Sequence, residues 1–420
     1  MAVKFWLKLG LLSFGGPAGQ IALMHRELVE NKKWIEEARF LHALNFCMLL
    51  PGPEATQLAT YCGWLLHGVR GGLAAGLLFV MPGALALWGL SWIYVSFGAM
   101  PAVAGVLHGL KAAVLAILAV AVVRVGRRSL KTSASWALAV TSGAVLALRV
   151  ASFPVVVVLA LALGFFGMRR WPNAFGSGVA TSTDEATVKN DLAQTRTGWE
   201  TASIAGIGLS LWFVPVLVAA WLHGWGGLYT QLGWFFSKAA VVTFGGAYAV
   251  LPYVGQQAVE HYEWVTAPQM VDGLALSETT PGPLILVLQY VGFLAGWAQP
   301  GELSPLAAAT WGAAMATWVT FVPTFLFILV GAPYVERWRG WAPWRGALAA
   351  VTAAVVGVIA QLAGWFAWRA LWPRGGSGGV DLWVLGVGAA AGVALQWGRV
   401  GLGWVVLACG VAGALSVMGL

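Results

Sequence analysis

Charge is what this chain has least of. Asp, Glu, Lys and Arg together make 10% of its 420 residues while 59% are apolar, too little polar surface to cover a soluble protein of this size. Cysteine is almost absent: Cys47, Cys62 and Cys409 are odd in number and lie in apolar runs, which speaks against a disulfide framework and against a metal site. No nucleophile or metal-ligand cluster stands out, so an enzyme is not expected, and no motif asks for a cofactor. No small-residue cleavage site follows Lys4 and Lys8, so the first apolar segment reads as mature protein and not as a secretory signal. The formal net charge of +8 does not point to nucleic acid, because the basic residues lie mostly in short loops between apolar segments, where membrane orientation explains them.

What is present is hydrophobic length. Stretches of about 20 apolar residues, enough to span a bilayer, fall at 73–98, 101–123, 203–222, 305–333, 344–367 and 382–397; shorter or interrupted ones lie at 5–24, 40–66, 133–148, 153–166, 234–251, 270–297 and 401–417. Thirteen segments result, an all-α polytopic membrane protein, with the 25 Trp residues suited to interfacial belts. The longest polar stretch, 169–200, reads as a linker. It divides the chain into a first half at 1–170, a linker and connecting helix at 171–230, and a second half at 231–420.

The halves are copies. Phe14-Gly15-Gly16 recurs as Phe244-Gly245-Gly246 and Pro51-Gly52-Pro53 as Pro281-Gly282-Pro283, both at an offset of 230 residues, which also maps Phe5 to Phe235, Lys8 to Lys238, Glu30 to Glu260 and Trp34 to Trp264. Equivalent loops carry opposite charge bias. Arg26, Lys32, Lys33 and Arg39 face a counterpart, 253–268, that has no Lys or Arg, and Arg337 and Arg339 face 98–100, which has no basic residue. By the positive-inside rule the repeats are inverted. Two topologies satisfy this: thirteen crossings, or nine crossings with the first two elements of each half folded as re-entrant hairpins. The nine helical residues before the Gly-Gly-Pro break reach about 14 Å, near half of a roughly 30 Å hydrocarbon core. Loop charge favours the re-entrant form.

Non-helical backbone at membrane depth is tolerated only where protein or a water-filled cavity surrounds it. At each break Gly opens backbone angles closed to other residues and Pro interrupts the hydrogen-bond ladder. The N–H groups opening the next half-helix then form a candidate anion site, built from Gly15, Gly16, Pro51, Gly52, Pro53, Gly245, Gly246, Pro281, Gly282 and Pro283. Close helix packing is the other use of such glycines. Ser13 and Thr243, which precede the Phe-Gly-Gly copies, offer hydroxyls to an oxyanion. Lys8 and Lys238 stand six residues before each break, as substrate ligands or as snorkelling side chains. Lys111, ten residues into its segment, is an anion ligand or the partner of a buried carboxylate. Glu54, Asp272 and Glu278 are candidates for coupling movement to protons, or for structural pairs with Lys. His42 and His108 titrate in the useful range but also serve as packed, hydrogen-bonded side chains.

The motifs Leu9-Gly10-Leu11-Leu12-Ser13-Phe14-Gly15-Gly16-Pro17, Leu50-Pro51-Gly52-Pro53 and Phe79-Val80-Met81-Pro82-Gly83 resemble the N-terminal half of the chromate transporters. Phe244-Gly245-Gly246-Ala247-Tyr248, Thr280-Pro281-Gly282-Pro283 and Phe321-Val322-Pro323-Thr324-Phe325 resemble the C-terminal half. The resemblance covers nearly the whole chain. It departs at Gln20, where many members carry His, and at Glu54, where a small residue is common. It implies a multi-pass protein of the bacterial inner membrane that expels chromate and confers chromate resistance. Sulfate, of the same shape and charge, is the alternative substrate, taken up by an oxyanion carrier. A lipid-headgroup flippase or membrane enzyme is the rival from another class. The oligomeric state stays open, a homodimer included.

Overall fold

The computed structural model describes residues 2–14, 16–48, 50–98, 100–170, 198–244, 246–332, 342–372, 379–398 and 400–418. Gly15 and Gly245, most of the polar linker, Arg337 and Arg339 lie outside the described residues. Among the described residues the protein is helical throughout, with no strand. In the first half, α1 (Ala2–Leu12), α2 (Gly16–His25) and α3 (Glu37–Cys47) are short, and α4 (Glu54–Phe97), α5 (Pro101–Ser129), α6 (Ser133–Ala147) and α7 (Phe153–Arg170) follow. The connecting helix is α8 (Gly198–His223). The second half repeats the order as α9 (Leu228–Val242), α10 (Ala247–Gln256), α11 (Ala267–Thr279), α12 (Val287–Ala298), α13 (Pro305–Gly331), α14 (Ala342–Leu371), α15 (Leu382–Gln396) and α16 (Leu402–Met418).

The chain turns back within each α1–α2 type pair. Phe5, in the first turn of α1, packs edge-on against Trp34 beyond α2 with ring centroids 4.9 Å apart, and Phe235 meets Trp264 at 5.6 Å in the second half. Both returns widen into a π-helical turn, Arg26–Asn31 and Gln257–His261. Both then pass through a left-handed residue, Lys33 (φ 51°) and Glu263 (φ 53°). In each, the Trp N–H donates back over 2.8 Å, Trp34 to the Leu28 carbonyl and Trp264 to that of Ala258. At 11 residues, α1 is about 16 Å long, half the hydrocarbon core. That length fits a re-entrant first element in the first half, and α9, at 15 residues, makes the same fold-back in the second.

Helix α4 also folds on itself, at His67 and Gly68 (φ 63°, ψ −155°), a combination open only to glycine. Its arms, 54–66 and 69–97, pack so closely that a Cβ added at Gly63 would lie 2.5 Å from Ala75 Cβ. In the second half the same reversal is made by the loop between α12 and α13, where Gly292 and Gly312 face each other. Among the described residues six helices are long and apolar enough to cross a membrane, namely α4, α5, α7, α8, α13 and α14, and α6, α15 and α16 are shorter apolar helices. With these counted as crossings, four per half plus α8 invert the second repeat relative to the first.

The halves exchange their ends. Helix α5 packs on α15 and α16 of the second half, and α14 packs on α6 and α7 of the first. Small residues permit the approach: a Cβ at Gly105 would lie 2.8 Å from the Gly413 carbonyl oxygen, and their repeat counterparts, Gly346 and Gly164, are in contact likewise. A contact made twice with the roles of the two copies interchanged is the mark of two-fold symmetry.

Candidate functional site

The four breaks meet between the halves. The Gly52 N–H donates to the Thr243 carbonyl (2.7 Å) and the Gly282 N–H donates to the Ser13 carbonyl (2.9 Å), a second reciprocal pair, so each Pro-Gly-Pro is bonded to the other half's Phe-Gly-Gly approach. Gly52 (φ 129°) and Gly282 (φ 105°) hold backbone angles that favour glycine. Gly83 lies against Pro281 and Gly282, and its counterpart Thr324 stands by Gly52, 3.2 Å from where a Cβ would be. The Gln20 side-chain amide donates to the carbonyls of Gly282 (2.5 Å) and Ser13 (3.2 Å), and Gln57 donates to Pro51 (2.8 Å). Pro53 and Pro283 lead into α4 and into a short turn before α12. The expectation of free donors at these glycines is therefore modified, because the Gly52 and Gly282 N–H groups already hold the repeats together. The hydroxyls of Ser13 and Thr243 likewise turn back, onto the Gly10 carbonyl (2.8 Å) and the Ala239 carbonyl (2.6 Å).

A hydroxyl and a carboxylate stand where the other two half-helices begin. Gly16 (φ 68°) and Gly246 (φ 91°) open α2 and α10. A Cβ at Gly16 would lie 3.4 Å from the Tyr248 hydroxyl, and one at Gly246 would lie 3.6 Å from Glu54 Oε1. Tyr248 donates to Glu278 Oε1 at 2.7 Å, and Glu278 is buried. Sequence reasoning did not single out Tyr248, which sits inside the second Phe-Gly-Gly motif, opposite Ala18.

Lys111 is paired. Its Nζ lies 3.5 Å from Asp272 Oδ1, and Tyr94 donates to Asp272 Oδ2 at 3.0 Å. The pair borders a recess of about 380 Å³ that also takes in Gln269 and Trp297. It ties α5 to α11. The repeat counterparts of Lys111 and Asp272 are Thr352 and His42, so the ion pair exists in one copy. His108 lies 3.4 Å from Asp381. Lys8 and Lys238 are not brought to the breaks: both side chains are exposed, and Lys238 lies over Trp234 on the outer stripe of α9.

The two halves differ in openness. A cavity of about 790 Å³ runs in the first half from His25, Arg26 and Glu30 at the π turn to Phe14, Met48 and Glu54 at the breaks. In the second half the corresponding walls are closed: Leu41 is 41% exposed and its counterpart Val271 2%, because α10 and α11 are docked against α14 and α5.

A two-fold pair of broken-helix repeats, tied to each other at their breaks and open toward one of them, matches the architecture of multi-pass membrane carriers. The chain belongs to the chromate transporter family, whose model matches residues 2–168 and 230–414. It is 29% identical over 364 residues to a probable chromate transport protein of Synechococcus elongatus (86% of this chain, 83% of that one). It is 30% identical over 359 residues to the chromate transport protein of Cupriavidus metallidurans (85% and 80%), and 33% over 360 to that of Pseudomonas aeruginosa (84% and 77%). No solved structure matches the chain.

Proposed function

We propose that the protein is a secondary carrier that moves chromate out across the bacterial inner membrane and so confers chromate resistance. The observation that carries this reading is the one-sided cavity: two copies of the same hairpins flank one crossing, and one copy is open while the other is docked. Exchanging the two arrangements would expose the crossing to the other face. The positive-inside rule sets the open side, bearing Arg26, Lys32, Lys33 and Arg39, in the cytoplasm. That is the side from which an exported anion enters.

Family membership and the names of the relatives supply the substrate, a tetrahedral dianion. Two negative charges leaving a cell whose interior is negative gain about 5 kcal/mol per 100 mV, which favours export. The substrate-binding residues in this reading line the breaks around Gly16, Gly52, Gly246 and Gly282, with Lys111 at the far recess. Glu54, Asp272 and Glu278 are the candidates for exchange of protons. Everted membrane vesicles containing the protein should accumulate chromate when an inside-positive potential is imposed. Absence of uptake with and without the potential would refute chromate transport. Sulfate that is carried while chromate is not would move the assignment to the sister oxyanion.

A further inference from the structure

We infer that the groove between α5, α6 and α14 holds an anionic phospholipid of the cytoplasmic leaflet, with an acyl chain laid along α6 and the phosphate on Arg127. The inference rests on the orientation set by the loop charges and not on the identity of the carried anion.

The groove has a volume of about 940 Å³, within the range of pockets that bury a small molecule. Val123, Trp136 and Val140 line it and are exposed, so it opens sideways to the bilayer. Its floor is fixed by helix contact: a Cβ at Gly143 would lie 2.9 Å from the Gly357 carbonyl oxygen, because α6 and α14 meet there. At Gly364, which also lines the groove, an added Cβ would have nothing within 4 Å. The small residues thus serve close packing at one point and leave a void beside it. An unfilled void forfeits dispersion contacts for every atom that lines it, and in a membrane an acyl chain is the filler at hand.

Length and charge select the occupant. Trp136, in the first turn of α6, and Ala147, at its end, both line the groove, a run of about 16 Å that matches one half of a roughly 30 Å hydrocarbon core. The run starts at the turn from α5 to α6, beside Arg127 in the last turn of α5, and the positive-inside rule sets this end in the cytoplasm. Among the described residues Arg127 is the only charged side chain lining the groove, so no carboxylate of the groove engages it. A guanidinium presents a planar fork of donors that fits two phosphate oxygens. Trp136 adds an amphipathic ring at headgroup depth, and basic recesses between membrane helices on the cytoplasmic side suit anionic headgroups. A second copy of this chain fits less well, since a two-fold contact through this face would bring Arg127 toward its own copy. The lipid bridges α5 and α6 of the first half to α14 of the second, at the seam where the halves exchange their ends.

The test is native mass spectrometry of the purified full-length protein titrated with phosphatidylglycerol or phosphatidylcholine. Wild type should retain one phosphatidylglycerol about fivefold more tightly than phosphatidylcholine, the worth of one basic residue facing an anionic lipid. Arg127→Gln should bind the two lipids equally, whereas Lys131→Gln, which removes a nearby exposed charge outside the groove, should keep the preference. Gly364→Leu should lose both lipids, because its side chain takes the place of the tail. Equal preferences in Arg127→Gln and Lys131→Gln, or a Gly364→Leu protein that retains lipid as wild type does, overturns the site. So does a wild-type dimer that Gly364→Leu dissociates, which makes the groove an interface between copies. Where a variant does not fold, wild type decides: phosphatidylglycerol with a photoreactive diazirine on its acyl chain should crosslink within α6 or residues 356–364 of α14, and label spread evenly over the lipid-facing helices overturns the site. Chromate enters none of these measurements, so failure here leaves the carrier reading untouched.

Discussion

Removing Lys111 should cost more than neutralising Asp272, although each change breaks the same ion pair. At 3.5 Å and an effective dielectric near 20 the attraction is about 5 kcal/mol before desolvation, and burial of the carboxylate offsets much of it. The two side chains are unequally buried, 25% exposed for Lys111 and 7% for Asp272. Lys111→Ala strands a carboxylate that retains only the Tyr94 hydroxyl, a loss of about 3 kcal/mol, the low end for a broken buried pair because the recess admits water. Asp272→Asn keeps an acceptor for Tyr94 and leaves an ammonium able to extend into that recess, about 1 kcal/mol. The double variant should resemble Asp272→Asn, since the stranded charge is gone, giving a coupling of about 3 kcal/mol. Thermal unfolding of the four proteins in one detergent ranks them. If Lys111→Ala melts no lower than Asp272→Asn, or if the double variant shows the sum of both losses, the pair is not the buried, one-sided contact described here.

Two further predictions concern the breaks and the topology. Gly52→Ala and Gly282→Ala should each destabilise by about 1–3 kcal/mol through strained backbone, whereas Gly89→Ala, in a helix with open space around it, should be neutral or gain up to about 1 kcal/mol; a melting series in which all three behave alike would remove the special status of the breaks. Cysteines replacing Lys32 and Glu260 should react with an impermeant thiol reagent from opposite faces of the membrane, and Leu41→Cys should label faster than its counterpart Val271→Cys. Labelling of both hairpin bases from one side would refute the inversion.

The duplication and its inversion are legible in the sequence because motif and loop charge repeat at one offset, and the length of the first hairpin is legible because nine to eleven helical residues cannot span the core. The exchange of α5 and α14 between halves is not. The offset grows from 230 at the breaks to 241 at Gly105 and Gly346, and to 249 at Gly164 and Gly413, so the glycine pairs align only once the insertions after α12 and α14 are placed. The partners of the Gly52 and Gly282 N–H groups are equally hidden, since both sit in the other half of the chain. Lys111 shows the limit from the other direction: its depth marks it as costly, but ligand and ion-pair readings share that signal, and only Asp272 at 3.5 Å separates them. Tyr248 went unread because a hydroxyl carries no desolvation warning comparable to a charge.

The breaks are duplicated and the charges are not, and the two facts have different physical origins. The Gly52 N–H needs the Thr243 carbonyl, and the Gly282 N–H needs that of Ser13; losing either break would orphan a backbone group at membrane depth, so both copies are held in place by each other. Charges near a two-fold axis behave in the opposite way. A second Glu278 at Met48, or a second Glu54 at Leu284, would set like charges close together in a poorly solvated crossing, where each raises the cost of ionising the other. A symmetric frame that carries Glu54, Asp272, Glu278 and Lys111 once each therefore keeps each of these charges from facing its own copy across the axis. It also makes the two halves inequivalent: the docked half is latched by Lys111 and Asp272, while the open half has Thr352 and His42 in their places, so the two exposures of the crossing differ in energy and the conformational equilibrium is biased before any substrate binds.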